Sequence, residues 1–312
     1  MTYLSIITPL FNKGNYISET ISSVQSQIMT DWEMIIIDNG STDNSPLIAD
    51  QYAQEDTRIR FMEFKDKQGP CSVRNMGLGF ATGDWVLFLD ADDLITPDFL
   101  INRYKLSNTN AQIIVGKWQE FEDNGIKKAL ERQPTGWKGD TFEVLESAIA
   151  YAPWALHSAI IRRNWLIKER QWHEELNQVA SEDTAFWFRV LQDAKIAWCD
   201  HAGALYRVKT SNSRNQIRDP QKWIYSVSIV IKTNLTYLEK LGIKPTPSQY
   251  ENVFRVLESL YRLAWKSKLY SEKNNLQQQI YEFMDITPLN LGIVVRKLIG
   301  LELFNLIRYG MK

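Results

Sequence analysis

Residues 4–45 read LSIITPLFNKGNYISETISSVQSQIMTDWEMIIIDNGSTDNS. Two apolar, β-branched runs, LSIITPL (4–10) and EMIIID (33–38), flank NYISETISSVQSQ, whose apolar residues recur at helical spacing. The runs are apolar nearly throughout rather than at alternate positions, which predicts strands buried on both faces. The rhythm continues outward. RIRFMEF (58–64), DWVLFLD (84–90) and AQIIVGKW (111–118) read as further strands, and SPLIADQYAQ and PCSVRNMGLGFA read as helices between them. The predicted fold is therefore α/β, Rossmann-like, with a mostly parallel sheet and flanking helices. Ligands of such sheets bind beyond the carboxyl ends of the strands, and the polar clusters near the chain's start lie there.

After about residue 118 the pattern changes. QEFEDNGIKKAL (119–130) resembles a hairpin turning at Asn124-Gly125. Residues 140–170 suggest a helix, a short strand around ALHSAIIRR and another helix. In SEDTAFWFRVLQ (181–192), Ser181 is an expected N-cap with acidic residues in the first turn. Beyond about Pro220 the pattern is helical, broken at GIKPTPSQ and ITPLN. This predicts a catalytic unit over 1–215 and a helical C-terminal region over 216–312, without internal repeats.

Composition narrows the function classes. The 312 residues are 44% apolar and 23% charged, ordinary values for a globular chain with a sizeable core. A formal net charge of −1 leaves no electrostatic footprint for nucleic acid. Cys71 and Cys199 lack metal-ligand spacing and are too few for a disulfide framework, which favours a reducing compartment. The start lacks a basic leader, and no stretch has the length of a membrane span, so a cytoplasmic protein is expected.

Four segments could carry chemistry. Asp90-Ala91-Asp92-Asp93 ends an apolar strand, and three carboxylates so close repel one another unless a cation or a hydrogen-bond network compensates. Oxygen ligands suit Mg²⁺ or Mn²⁺, although Asp92 or Asp93 could instead open the helix containing Phe99. The loop after Asp38, from Asn39 to Asp43, could hydrogen-bond a base or ribose, or form an ordinary turn before a capped helix. In TPLFN (8–12), Pro9 restricts the strand end, and Phe11 could stack on a base or pack in the core. Arg74, on the helix before the acidic strand, could reach a diphosphate or form a surface ion pair. Gly77 and Gly79 do not make a dinucleotide fingerprint.

Taken in order, SIITPLFNKGNYISETISSVQSQ, IIIDNGSTDNS, SVRNMGL and LDADD resemble the inverting glycosyltransferases of family 2, with the GT-A fold, over roughly residues 3–215. The resemblance implies a nucleotide-sugar donor, UDP-linked by preference, and Mn²⁺ or Mg²⁺ held by Asp90 and Asp92. It places donor-binding roles on Pro9, Phe11, Asp38, Asn39, Arg74, Asp90, Ala91, Asp92 and Lys209. It also places the catalytic base on Asp183, with Glu182 beside it on the acceptor side; without that context Asp183 is an acid at a helix start. Two departures stand out. Many relatives carry two aspartates where this chain has Asp38-Asn39, and Lys209 in Tyr206-Arg207-Val208-Lys209 stands where relatives often have histidine. A charged ammonium cannot ligate metal but can bind a diphosphate.

The implied chemistry is displacement at an anomeric carbon through an oxocarbenium-like transition state, giving transfer of a hexose or N-acetylhexosamine. The metal, Arg74 and Arg207 or Lys209 would offset charge on the leaving diphosphate. Trp154 and His157 could line the acceptor side, or simply pack. The acceptor would be a glycan or a lipid-linked molecule in surface-glycan synthesis. The tail LGIVVRKLIGLELFNLIRYGMK (291–312) could lie on an anionic membrane from the cytoplasmic side, pack on the domain or join a homodimer. Two other classes compete. A nucleotidyl- or phosphotransferase would need a glycine-rich, lysine-bearing phosphate loop, which TPLFNKGN lacks. A decayed, non-catalytic nucleotide-sugar or glycan-binding protein would be expected to have lost Asp90, Asp92 or Asp183.

Overall fold

The computed structural model describes residues 3–64, 68–122, 130–139, 141–208 and 219–286. Its first half runs β1 (Leu4–Leu10), α1 (Ile17–Gln25), β2 (Trp32–Asn39), α2 (Ser45–Glu55), β3 (Ile59–Phe64), α3 (Pro70–Phe80) and β4 (Trp85–Phe88). β5 (Leu94–Ile95), α4 (Phe99–Tyr104), β6 (Ile113–Phe121), β7 (Leu130–Arg132), α5 (Thr141–Ala148) and β8 (Ala159–Arg162) follow. The chain continues through α6 (Glu182–Val190), β9 (Ile196–Arg207), α7 (Pro220–Lys240), α8 (Pro247–Lys266) and α9 (Tyr270–Ile286).

The nine strands among the described residues join one sheet in the order β3-β2-β1-β4-β8-β6-β9-β5, with β7 on β6. β1 is parallel to β2 and β4, and β2 to β3. This parallel half is the strand–helix repeat predicted from the sequence. Antiparallel β8 then splices β4 to β6.

Successive residues of the central strands enter opposite cores. Ile7, Ile35, Ile37 and Phe88 join one cluster, while Ile6, Met34, Ile36 and Leu87 join the other. Burying each such side chain stabilises the fold by about 1.5–3 kcal/mol, which explains why these strands tolerate no polar alternation. The first cluster contains α3 and α6 and continues without interruption into α7 and α8. α3 sits so close to β1 that a Cβ on Gly77 would lie 2.4 Å from Ile7 Cγ2.

Several expectations are corrected. The second helix expected near 163–170 is a pair of 3-10 turns, Arg163–Trp165 and Lys168–Arg170. Ser181 adopts φ +63° and makes no side-chain cap bond to α6, because a left-handed residue turns its hydroxyl away from the next amides. Neither Asp92 nor Asp93 opens a helix, since β5 intervenes and α4 begins only at Phe99. β9, twelve residues long, was not anticipated. The β6–β7 pair is antiparallel as expected, but the Asn124-Gly125 turn lies outside the described residues. So do Lys209 and the tail segment 291–312. Among the described residues, no helix is long and apolar enough to cross a membrane.

Candidate active site

The carboxyl ends of β1, β2 and β4 open onto a cleft of about 810 Å³. β4 ends in a tight turn in which Asp93 N donates to Asp90 O at 3.1 Å. The turn cannot leave this place. β5 pairs with β9 directly after it, and Arg207 on β9 donates from its backbone N to Asp93 Oδ1 and from Nε to Asp92 O, both at 2.8 Å. Arg207 Nη2 also reaches Glu19 on α1 at 2.7 Å. Arg207 thus fastens the acidic turn to two other elements, and it also lines the cleft, where the sequence offered it or Lys209 as positive charge near the diphosphate.

Arg74 is 2% exposed and bridges two carboxylates. Its Nη2 donates to Asp90 Oδ1 at 2.8 Å and its Nη1 to Glu182 Oε1 at 2.9 Å. Its guanidinium lies 4.3 Å from the Trp172 ring, which stacks on Phe186 at 4.1 Å. A planar fork suits this double role, and the two carboxylates keep the guanidinium firmly charged despite burial. Of the two readings offered by the sequence, a diphosphate contact or a surface ion pair, the second is replaced by a buried bridge from the acidic turn to the start of α6.

Asp183 follows Glu182 on α6 and lines the cleft. Its Oδ1 accepts from Thr184 N at 2.9 Å. Burial, with the Glu182 carboxylate beside it, pushes the Asp183 carboxyl up to about 6. A carboxylate poised there can accept a proton near neutral pH.

Asp93 and His157 form a second, fully buried pair, with Nδ1 3.2 Å from Oδ2. Burial holds His157 down at about 4, while burial and the neighbouring Asp92 raise Asp93 well above the usual carboxylate range. Both directions favour the uncharged partners.

Most of the residues singled out in the sequence converge here. Pro9, Phe11, Asn39, Arg74, Asp90, Ala91, Asp92, Glu182 and Asp183 line the cleft. Asp38 does not; it is 1% exposed, and its Oδ2 accepts from Gly40 N and Ser41 N at 3.0 Å each. Asn39 Oδ1 accepts from Gln68 N and Gly69 N at 2.8 and 2.9 Å, tying the β2 loop to the start of α3. Trp154 and His157 also fall outside the lining. Trp154 packs edge-on to Trp187 at 5.1 Å in the core, and His157 is 1% exposed.

The sequence reading missed four contributors. Lys13 Nζ lies 2.5 Å from Asp92 Oδ2, and it is the basic residue of the loop already singled out after β1. Asn177 accepts from Cys71 N and Ser72 N at 2.9 and 3.2 Å, capping α3 from a distant part of the chain that no local pattern reveals. Trp118 and Glu120, alternate residues of β6, form a rim with Tyr206, which pairs with Glu120 across the sheet.

Residues 5–176, more than half of the chain, match the glycosyl transferase family 2 profile. The chain belongs to that family. The match ends before Glu182 and Asp183. A poly(ribitol-phosphate) β-N-acetylglucosaminyltransferase, TarP of Staphylococcus aureus, is 28% identical over 283 residues, covering 89% of this chain and 77% of that protein. The chain spans about half, 51%, of the length of the glycosyltransferase GlyG from Streptococcus pneumoniae. Among solved structures, TarS 1–349 of S. aureus in complex with UDP-GlcNAc superposes with TM-score 0.62 at 16% identity, covering 90% of each chain. A mannosyltransferase from Pyrobaculum calidifontis in complex with GDP-Man and Mn²⁺ gives TM-score 0.55 at 15% identity, covering 99% of this chain and 81% of that one. These likenesses establish the GT-A fold predicted for this member of family 2.

Proposed function

We propose that this glycosyltransferase moves a hexose or N-acetylhexosamine from a nucleoside-diphosphate sugar, UDP-linked by preference, onto a glycan hydroxyl with inversion. The observation that carries this reading is the Arg74 bridge, which puts the acidic turn and the pair Glu182-Asp183 on the same cleft. Donor and acceptor chemistry need that adjacency. Phe11 and Asn39, at the ends of β1 and β2, are in place to bound the nucleoside, and Asp38 supports the loop from behind. UDP is favoured because the superposed TarS complex contains UDP-GlcNAc, while the GDP-Man complex makes the base a matter for test.

The acidic turn fits a divalent cation. It attracts positive charge from two sides, Lys13 at Asp92 and Arg74 at Asp90, and its ligands are hard oxygens. Among the described residues, no three His, Cys, Asp or Glu side chains form a metal cage, so donor phosphate oxygens would complete the shell around Asp92 and Asp90. When bound, Mn²⁺ or Mg²⁺ supplies Lewis-acid stabilisation of the leaving diphosphate.

Asp183 accepts the acceptor hydroxyl's proton as that oxygen attacks the anomeric carbon from the side opposite the diphosphate, which inverts the configuration in one displacement. Arg74 keeps Glu182 paired, so the carboxylate next to Asp183 is not a second buried base. The rim of Trp118, Glu120 and Tyr206 takes the acceptor role first considered for Trp154 and His157, since aromatic faces suit sugar rings. The activity in TarP's name, transfer of N-acetylglucosamine to poly(ribitol-phosphate), favours a polymeric, hydroxyl-rich acceptor.

Thermal unfolding against a panel of nucleoside diphosphates, with and without Mn²⁺, tests the donor site. A Mn²⁺-dependent rise with one diphosphate, lost in Asp92→Ala, supports it and identifies the base. No rise with any diphosphate at saturating metal rejects it.

A further inference from the structure

The acidic turn is neutralised by two cations of unequal commitment. Arg74 is 3% exposed at its side chain and holds two carboxylates at once. Moving it would strand Glu182, which is buried at 6% side-chain exposure. Among the described residues, Lys13 Nζ makes a single ion pair, with Asp92, and both side chains of that pair keep some exposure, 14% and 15%. Its four-carbon stem can redirect the ammonium without moving the backbone. The backbone beneath is fixed. Asn12 N donates to Ser41 Oγ at 2.9 Å, Thr42 N to Asn12 Oδ1 at 2.7 Å, and Gly14 N to Asp43 Oδ2 at 2.8 Å.

We propose that Lys13 is a resident counter-ion of Asp92 which the divalent cation displaces, and that its ammonium then turns onto the donor diphosphate. This rests on the reading of the cleft as a metal-assisted nucleoside-diphosphate site. An ammonium 2.5 Å from Asp92 Oδ2 occupies one direction of approach to that oxygen, and a divalent ion beside it would face a like charge. The ammonium must therefore withdraw, and the cleft it already lines is where two phosphates bring compensating charge. Metal and nucleotide then bind cooperatively, since metal alone must oust Lys13 while the nucleotide gives Lys13 a new partner. By linkage, the nucleotide improves metal affinity by the factor with which metal improves nucleotide affinity.

Manganese binding to the full chain, followed by the electron paramagnetic resonance of free Mn²⁺ with and without UDP, tests this. Without UDP, Lys13→Met is expected to bind Mn²⁺ roughly threefold to tenfold more tightly than the unmodified protein, the range for losing one partly exposed competing charge. The gain in Mn²⁺ affinity on adding UDP should shrink at least as much. Lys13→Gln should behave alike, so that side-chain apolarity is not the cause, and unchanged thermal midpoints would show both variants folded. Unchanged or weaker Mn²⁺ affinity in both folded variants overturns the exchange. If the unmodified protein retains no more Mn²⁺ than Asp92→Asn at saturating UDP, the metal reading beneath it fails instead, and the exchange falls with it.

Discussion

At the scale of single residues, the two neighbours at the start of α6 have opposite fates. Glu182 is neutralised by Arg74, whereas Asp183, despite accepting from the amide of Thr184, is pushed up to about 6 by burial and the adjacent Glu182 carboxylate. Asp183→Asn should lower kcat by about 10²–10⁴-fold, the range for losing a general base, while leaving Mn²⁺-UDP binding by calorimetry intact. In the unmodified enzyme, turnover should fall as pH drops through about 6, where the base becomes protonated. The same shift has a stability sign. A carboxyl with a raised folded pKa makes the native state bind the extra proton, so its stabilising contribution is present below the unfolded value and lost as pH rises through about 6. Asp183→Asn should therefore unfold at a higher temperature than the unmodified protein at pH 8, and the gap should narrow by pH 4. An equal gap at both values would refute that sign. Arg74→Lys should be more damaging than its conserved charge suggests, because one ammonium cannot reach Asp90 and Glu182 in two parallel contacts; leaving a buried carboxylate unpaired costs about 3–5 kcal/mol in denaturant titrations.

Elements explain which parts of the molecule were readable in advance. β1 and β2 stand within a residue of their expected limits because both faces are buried along most of their length, which forces a nearly continuous apolar run. β9 escaped because Cys199, Asp200, His201 and Gly203 interrupt any apolar run, and its pairing with β6 contains a register shift at Gly116–Trp118. The helix start at Ser181 looked like a cap from its residue type, but the preceding turns deliver the chain there left-handed. The candidate site divides in the same way. Asp90 and Asp92 announce themselves by charge at a strand end and Arg74 by its charge on the helix before it, while Asn177 acts on α3 from 105 residues away and leaves no local mark. Two measurements belong to this scale. Asn177→Ala should cost about 0.5–2 kcal/mol of stability, as for a lost helix cap, and should loosen the α3 amides in hydrogen exchange. Gly77→Ala should cost about 1–3 kcal/mol by forcing α3 off β1, read as a lower thermal midpoint.

Across the whole molecule, the candidate cleft is built on one sheet but is held from behind by one long apolar cluster. Phe186, Trp187 and Phe188 of α6, all fully buried, join residues of α7 and α8 in that cluster. The position of Asp183, the proposed base, is therefore seated on the helical region as well as on the sheet. The interlock at the front of the cleft has a different consequence. The loop after β1 and the loop after β2 exchange four hydrogen bonds through Asn12, Gly14, Ser41, Thr42 and Asp43, and a Cβ on Gly14 would sit 2.0 Å from Asn44 Oδ1. The two segments form one hydrogen-bonded unit. A chimera that imports another enzyme's 39–45 loop to change donor choice would leave those contacts mismatched, so retargeting this scaffold means transplanting residues 11–14 together with it.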